Sequence, residues 1–127
     1  MAFAAITHEV ELVETHAAAS RTTTGGDAGG ASYAGTGIDL TKYTDTLVAY
    51  VSAGTVGTSL NGKWQESDDN STFSDVSGGA MTALTSAGNR TVELSVRKFT
   101  KRYASFQLTV GGTCVCSTVV LRKPRVQ

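Results

Sequence analysis

Alternation of apolar and polar residues predicts two strands late in the chain. In TVELSV, residues 91–96, Val92, Leu94 and Val96 fall on one side and the polar residues on the other. YASFQLTV, residues 103–110, alternates in the same way. Its inward set is Ala104, Phe106, Leu108 and Val110. Because successive side chains of a strand point to opposite faces, each run predicts one buried and one exposed face.

Other apolar runs predict the remaining strands. DTLVAYVSAG, residues 45–54, is predicted to be a strongly buried strand that contains Leu47, Val48, Tyr50 and Val51. SLNGKWQES, residues 59–67, puts Leu60, Gly62 and Trp64 on one face, which favours a core tryptophan over a sugar-stacking one. Short strands are expected at 73–76 and 81–84, and a last strand at 114–121.

The spacing of these runs predicts the fold class and the domain organisation. Seven to eight strands separated by turn signals about every ten residues, with no convincing helix, predict an all-β, antiparallel β-sandwich, either jelly-roll-like or Ig-like. We expect the sandwich to span residues 38–121. An extended N-terminal arm and a Gly-rich flexible loop are expected over residues 1–37, with the flexible part at 17–37, and a basic C-terminal tail over 122–127.

The arm itself allows two interpretations. As a strand, THEVELVETH puts His8, Val10 and Leu12 on one face, whereas as a helix it would line up Ile6, Val10 and Val13. An extended arm or strand is favoured. The first residues lack the basic region of a secretory signal, so synthesis in the cytoplasm is expected.

A polar stretch, KWQESDDNSTFSDV at residues 63–76, resembles the start of a calcium loop. The glycine and the bidentate glutamate that such a loop needs do not follow at the right offsets. A hairpin bend at Ser67–Ser71 explains the same residues, because Asp and Asn bond their own backbone in turns and Asn70 tolerates a left-handed conformation. We therefore expect a turn and no metal site.

Charge is balanced overall but divided along the chain. Eleven basic and eleven acidic residues cancel; ten of the acids lie at or before Asp75, and eight of the bases lie at or after Arg90. Zero net charge argues against a general nucleic-acid binder, and no run is long or apolar enough for a membrane span. The division suits pairing with further copies or with a charged protein surface, unless strands of the two halves interleave and erase it.

Catalytic chemistry finds little support in the sequence. Cys114 and Cys116, at i and i+2 of a strand, have poor disulfide geometry and are expected to be reduced thiols in the core or at a subunit contact. The adjacent pair Asp68 and Asp69 sits on a turn, without the surroundings that would separate two carboxyl pKa values. The basic cluster KFTKRY, residues 98–103, is explained as a solvated turn before a strand. We expect no enzyme and no cofactor.

Several segments in order resemble a family of small tailed-bacteriophage head decoration, or cement, proteins. They are GTGIDLTKYTDTLVAYVSAG, KWQESDDNSTFSDV, KRYASFQLTVGG and the terminal VVLRKPR, which together cover residues ~35 to 125. Relatives usually read SDDGSTF at the turn, where this chain has Asn70 in place of the glycine. The shared motifs are structural, so they transfer the fold and no binding residue.

The resemblance implies a mechanical role on the virion. A protein of this kind binds the major capsid protein on the outer surface of the head, at capsomer junctions, and stabilises the shell against the pressure of packaged DNA. It is commonly a trimer, so that one modest contact is repeated. The resemblance implies no nucleic-acid and no membrane partner. Deleting residues 1–20 is expected to abolish occupancy of the capsid and leave a folded domain.

Candidate contacts follow from the polarity of the arm and the tail and from the freedom expected of two tyrosines. They are Glu9, Glu11, Glu14, Tyr33, Tyr43, Arg122, Lys123 and Arg125. Two rivals remain open: a phage tail or receptor-binding module that holds host polysaccharide with Tyr33 or Tyr43, and a non-viral carbohydrate-binding sandwich. The second should have a secretory signal and more exposed tryptophan than this chain offers.

Overall fold

The computed structural model describes residues 11–22, 25 and 37–124; of these, residues 11–18, 43–45 and 122–124 are described by their backbone alone. Within this part of the chain the structure is formed by strands, with two short 3₁₀ helices at Leu40–Lys42 and Val96–Lys98. The strands are β1 (Glu11–Arg21), β2 (Ile38–Asp39), β3 (Tyr43–Thr55), β4 (Ser59–Ser67), β5 (Ser74–Ala80), β6 (Gly88–Ser95), β7 (Tyr103–Gly111) and β8 (Cys114–Pro124).

The strands form two four-stranded antiparallel sheets, which confirms the predicted β-sandwich. The first sheet has the order β1-β8-β3-β6 and the second has the order β2-β7-β4-β5. The pairs β1 with β8, β3 with β6, β2 with β7 and β4 with β5 are those made when one long hairpin is rolled up. This arrangement distinguishes a jelly roll from an Ig-like sandwich, between which the sequence did not decide.

The core lies between the sheets around Trp64. Its side chain is fully buried and packs edge-on against Phe106 and Phe99, with ring centroids 5.2 and 6.0 Å apart. The indole Nε1 donates a hydrogen bond of 3.4 Å to the carbonyl of Val92, so that β4 of the second sheet is tied to β6 of the first. The predicted inward positions Leu94, Ala104 and Leu108 are buried as well.

The prediction for β3 was right for one face and wrong for the other. Leu47 and Val51 are buried, but Tyr50 is 45% exposed and Val48 is only half-buried. The reason is the period of two: the face that carries Leu47 and Val51 turns Val48 and Tyr50 outward. Only one side of this strand faces the core.

The sandwich domain extends beyond the predicted boundaries in the sequence on both sides. Residues 17–21, which the composition assigns to a flexible loop, instead complete β1, and Arg21 pairs with Cys114 of β8. At the other terminus, the first residues of the expected tail, Arg122–Pro124, are the end of β8. Pairing with β8 gives the backbone of residues 17–21 its hydrogen-bond partners, so an alanine-rich composition is compatible with an edge strand. The expected extended form of the N-terminal segment holds for residues 11–16.

The turn before β7 is less solvated than the sequence indicates. Phe99 is buried against Trp64, and the backbone N–H and side-chain hydroxyl of Thr100 donate hydrogen bonds to the Glu66 carboxylate. Glu66 is itself buried at the end of β4. This contact anchors the basic segment that follows the helix Val96–Lys98 onto the second sheet.

Candidate contact surfaces

One end of the sandwich, hereafter the charged end, brings the first and last described residues of the chain together. Glu11 at the start of β1 pairs with Arg122 of β8, and Tyr43 at the start of β3 pairs with Pro124. The chain before residue 11 and the chain after residue 124 are therefore attached at the same end of the first sheet.

Most of the charge in the connecting segments lies at this end. The connections 40–42, 68–73 and 96–102 all reach it, and they contain Lys42, Asp68, Asp69, Arg97, Lys98, Lys101 and Arg102. Lys42, Arg97 and Lys98 are exposed, and the helix that carries the last two contacts β3. The connections at this end therefore hold five basic and two acidic residues.

At the opposite end, hereafter the neutral end, the described connections are uncharged, although Arg21 and Arg90 of the adjoining strands lie near it. Its connections, residues 56–58, 81–87 and 112–113, contain no charged residue. They are closely packed: a Cβ added at Gly57 would lie 2.6 Å from the backbone N of Thr113, and Gly112 has a φ of +75°. The described connections at the two ends of the molecule therefore differ in their number of charged residues, and those at the charged end include both acids and bases.

One ion pair at the charged end joins the end of β2 to the residue that precedes β7. Arg102 Nη2 lies 3.1 Å from Asp39 Oδ2, and the Arg102 guanidinium lies 5.1 Å from the centre of the Tyr103 ring. The Asp39 carboxylate also accepts hydrogen bonds from the N–H and hydroxyl of Thr41. The hydrogen bond from Arg102, followed by those from Thr41, holds the pKa of Asp39 well below its usual range. Because Arg102 is paired with Asp39, it is less available to a partner than the exposed Lys42, Arg97 and Lys98.

Five of the eight predicted contact residues fall within the described chain. Glu11, Tyr43, Arg122 and Lys123 lie at the charged end, on β1, β3 and β8, and Glu14 lies further along β1, where it pairs with Val120. Glu9, Tyr33 and Arg125 lie outside the described residues. The structure thus brings four residues from distant parts of the sequence to the same end of one sheet.

The polar stretch between β4 and β5 is a turn, as predicted. Asn70 has a φ of +57°, and its side-chain oxygen accepts a 2.8 Å hydrogen bond from the N–H of Gly37. Asp69 Oδ1 accepts hydrogen bonds from Ser67 Oγ at 2.8 Å and from the N–H groups of Ser71 and Thr72 at 2.9 Å each. Asp69 Oδ1 is therefore fully engaged by groups of the turn itself.

These hydrogen bonds predict a pH dependence of stability. Those from Thr72, Ser67 and Ser71 to the ionised carboxylate lower the pKa of Asp69 to about 2. Because the folded pKa is below the unfolded one, the stabilisation by Asp69 is present above about pH 4 and is lost as pH falls towards 2. In Asp69→Asn the amide oxygen can still accept hydrogen bonds, but the charge is gone. We expect this variant to be less stable than the wild type above about pH 4, with the difference vanishing near pH 2.

Urea unfolding followed by circular dichroism across this pH range measures the difference. Asp68→Asn is the matched control, because Asp68 is exposed and no hydrogen bond to it is seen within the described residues. A constant difference between wild type and Asp69→Asn from neutral pH down to pH 2 would contradict the assigned role of Asp69.

The outer face of the first sheet is a second candidate surface. Tyr50 and Val115 are 45% and 41% exposed, and Val48, Val119 and Leu121 are half-buried on the same face. This surface was not predicted from the sequence, because the apolar residues of β3 were all assigned to the core without regard to the face on which each lies. Separating residues 47–51 by odd and even number would have revealed it.

Other possible sites are modest in the described part of the molecule. A depression of 210 Å³ on the second sheet is lined by Asn61, Gly62, Lys63, Ala80 and Thr109. Among the described residues, no three His, Cys, Asp or Glu side chains converge as metal ligands, and no helix has the length and hydropathy of a membrane span.

The two cysteines lie in the core, one of the two locations predicted for them. Cys114 and Cys116 are both buried and unbonded to each other. Burial raises the pKa of the Cys116 thiol, which keeps it protonated at neutral pH. The pair therefore has the character of small core residues.

No family model matches the sequence, and no curated protein matches it either. Among solved structures, PBSX exported protein XepA superposes with a TM-score of 0.63 at 14% sequence identity, over 93% of this chain and 38% of XepA. This chain therefore corresponds to well under half the length of XepA, and the likeness shows a shared fold.

More distant likenesses span several kinds of protein. The coat protein of Tobacco streak virus aligns with a TM-score of 0.47 at 8% identity, over 93% of this chain and 85% of the coat protein. A structure described as CBM4 aligns with a TM-score of 0.48 at 11% identity, over 98% of this chain and 82% of the other.

Proposed function

We propose that this chain is a structural virion protein that decorates the outside of a tailed-phage head. It binds the major capsid protein at capsomer junctions, as a homo-oligomer and most simply a trimer, and acts without catalysis. The observation that carries the proposal is the charged end, where the chain before Glu11 and the chain after Pro124 are both attached. The jelly-roll fold shared with XepA and the sequence motifs of the decoration proteins support it.

The physical basis is repeated contact. The pressure of packaged DNA loads the joints between capsomers, and a protein that spans a joint resists opening by the contact area it would lose. One charged end offers a modest contact, but an oligomer presents several at once, which raises avidity by about 10²–10⁴ over one contact. Residues 1–10 and 125–127, attached beside the charged end, can add further area to each contact.

Truncation of the chain tests this proposal. Deleting residues 1–20, the change that the sequence suggests, also removes most of β1 and so an edge of the first sheet. Deleting residues 1–10 leaves β1 whole. We expect this shorter truncation to abolish occupancy of purified, undecorated heads and to leave the circular dichroism spectrum and thermal midpoint nearly unchanged.

A charge substitution tests the charged end separately. Arg97→Gln with Lys98→Gln removes two exposed cations, and Thr85→Glu with Thr113→Glu, at the neutral end, is a control with the same change in net charge. We expect the first pair to weaken binding to heads about tenfold, or roughly 1.4 kcal/mol. The control pair should bind as the wild type does. Gel densitometry of sedimented heads measures both, and equal occupancy by all variants would refute the proposal.

The rival function is polysaccharide binding by an exposed aromatic residue. Tyr50, 45% exposed on the outer face of the first sheet, is a further candidate beside Tyr33 and Tyr43. Glycan-array binding that is lost in Tyr50→Ala, or in Tyr33→Ala or Tyr43→Ala, would favour this rival. Retained occupancy of heads by the same variants would favour decoration.

A further inference from the structure

We propose that a second copy of this chain covers the outer face of the first sheet, centred on Tyr50. We name this surface the Tyr50 face; it consists of the described outward side chains of β3, β6 and β8. The inference rests on the self-association proposed above and gives one of its contacts a location; because identical faces pair with two-fold symmetry, this contact alone joins two copies. It does not depend on the identity of the capsid partner.

The Tyr50 face is built from rows of residues that pair across three strands. In one row Tyr50 lies between Thr91 of β6 and Val119 of β8. In the next row Val48 lies between Glu93 and Leu121. A further row continues with Asn89, Ser52 and Ser117, and Val115 lies beyond it opposite Thr55. The centre of the face is therefore apolar and aromatic, with short hydroxyl and amide side chains beside it.

Charge is nearly absent from this face. Among its described side chains Glu93 is the one charged group, and it lies on β6, the edge strand of the sheet. The outer face of the second sheet differs, because Lys63 there forms a 3.0 Å ion pair with Asp75. Interface cores are depleted in charged residues and enriched in tyrosine, whereas faces that stay in water keep their charges. The composition of the Tyr50 face is that of a covered surface.

A second copy offers this face a sheet like its own. Strands β3, β6 and β8 have 13, 8 and 11 residues, and alternate residues of each strand point outward. Sheets pack face to face through interdigitating side chains, and a second copy supplies a sheet of matching width and polarity.

Electrostatics favours a copy of the chain over a charged partner. The chain has zero formal net charge, so two copies approach without net repulsion. A charged capsid surface would find little to pair with on the Tyr50 face, while the charged end of the same molecule offers several exposed cations. In this arrangement the Tyr50 face binds a second copy of the chain, and the charged end remains free to bind the shell.

Placing like charges on the face tests the inference. Tyr50→Lys with Val119→Lys puts two cations at its centre on every copy, and both side chains already point outward, so the core is untouched. Gln107→Lys with Thr109→Lys, on the outer face of the second sheet, is the control with the same added charge. Sedimentation equilibrium of the full chain at about 100 µM, without heads, detects association with a dissociation constant in the micromolar range or tighter.

We expect the wild type and the control to sediment as at least two copies of the 13.2 kDa chain, and the Tyr50→Lys, Val119→Lys variant to sediment as one. Circular dichroism verifies folding, and Tyr50→Arg alone replaces the double variant should that one unfold. A monomeric wild type, an oligomer that survives the substitutions, or a control that dissociates would each overturn the inference. Since heads are absent, failure here is distinct from failure of the decoration proposal, which is read from occupancy.

Discussion

Replacing Trp64 with alanine should lower the free energy of unfolding by about 3–5 kcal/mol, a large share of the 5–15 kcal/mol typical of a folded domain. The substitution removes a fully buried ring that contacts Phe99 and Phe106, and it removes the hydrogen bond that Val92 accepts across the two sheets. The cavity would lie where both sheets meet, so neither sheet can close it without shifting the other. We expect a marginally stable or unfolded protein at 37 °C.

Urea unfolding measures this loss, with circular dichroism as the probe because Trp64 is the only tryptophan. Trp64→Phe is the graded control: it keeps an aromatic ring against Phe106 and loses the indole N–H and part of the volume. Its loss should be clearly smaller than that of alanine. If alanine cost no more than phenylalanine, Trp64 would not be the residue that joins the sheets.

Gly62→Ala should destabilise the fold by about 1–3 kcal/mol although it adds a single methyl group. A Cβ at this position would lie 2.5 and 2.6 Å from the Cζ and Cε2 atoms of Phe106, and 3.1 Å from Met81 Sδ. Phe106 is fully buried and packed edge-on against Trp64, so its ring cannot retreat without displacing the tryptophan. The added methyl group therefore strains the centre of the core.

Gly54→Ala provides the matched control on β3. A Cβ there would meet no atom within 4 Å, and the residue is exposed. Its effect should be small and can be stabilising by up to about 1 kcal/mol, since alanine restricts the unfolded chain. Thermal unfolding of both variants gives the comparison, and equal midpoints would contradict the close contact at Gly62.

Local features of the fold were predictable because a period of two decides which side chains face inward. Most inward positions of β6 and β7, the core position of Trp64 and the left-handed Asn70 followed from neighbouring residues. The exceptions are Val96, which lies in the helix after β6, and Val110, which is half-buried. Tyr50 was misplaced because its strand holds apolar residues on both faces, and alternation then carries little contrast.

Long-range features were beyond the pattern. The pairing of β1 with β8 joins residues about a hundred positions apart, and it makes residues 17–21, whose composition favours a loop, part of an edge strand. The choice of a jelly roll over an Ig-like sandwich depends on such pairings, which no local signal encodes.

The candidate site shows the same division. The acidic start and the basic end of the described chain were recognisable as contact candidates, but their meeting at one end of a sheet results from register, as with Glu11 and Arg122. Lys98 was treated as part of a solvated turn, and the place of Arg97 and Lys98 beside β3 became apparent only with the fold.

Electron cryo-microscopy of heads saturated with the purified chain tests whether the charged end of the jelly roll is the surface that binds the capsid shell. We expect density for the chain on the outer surface of the head at capsomer junctions, with the helix Val96–Lys98 and the segment Arg122–Pro124 turned towards the shell. Density that places the neutral connections 56–58 and 112–113 against the shell, or heads that bind none of the chain, would contradict it.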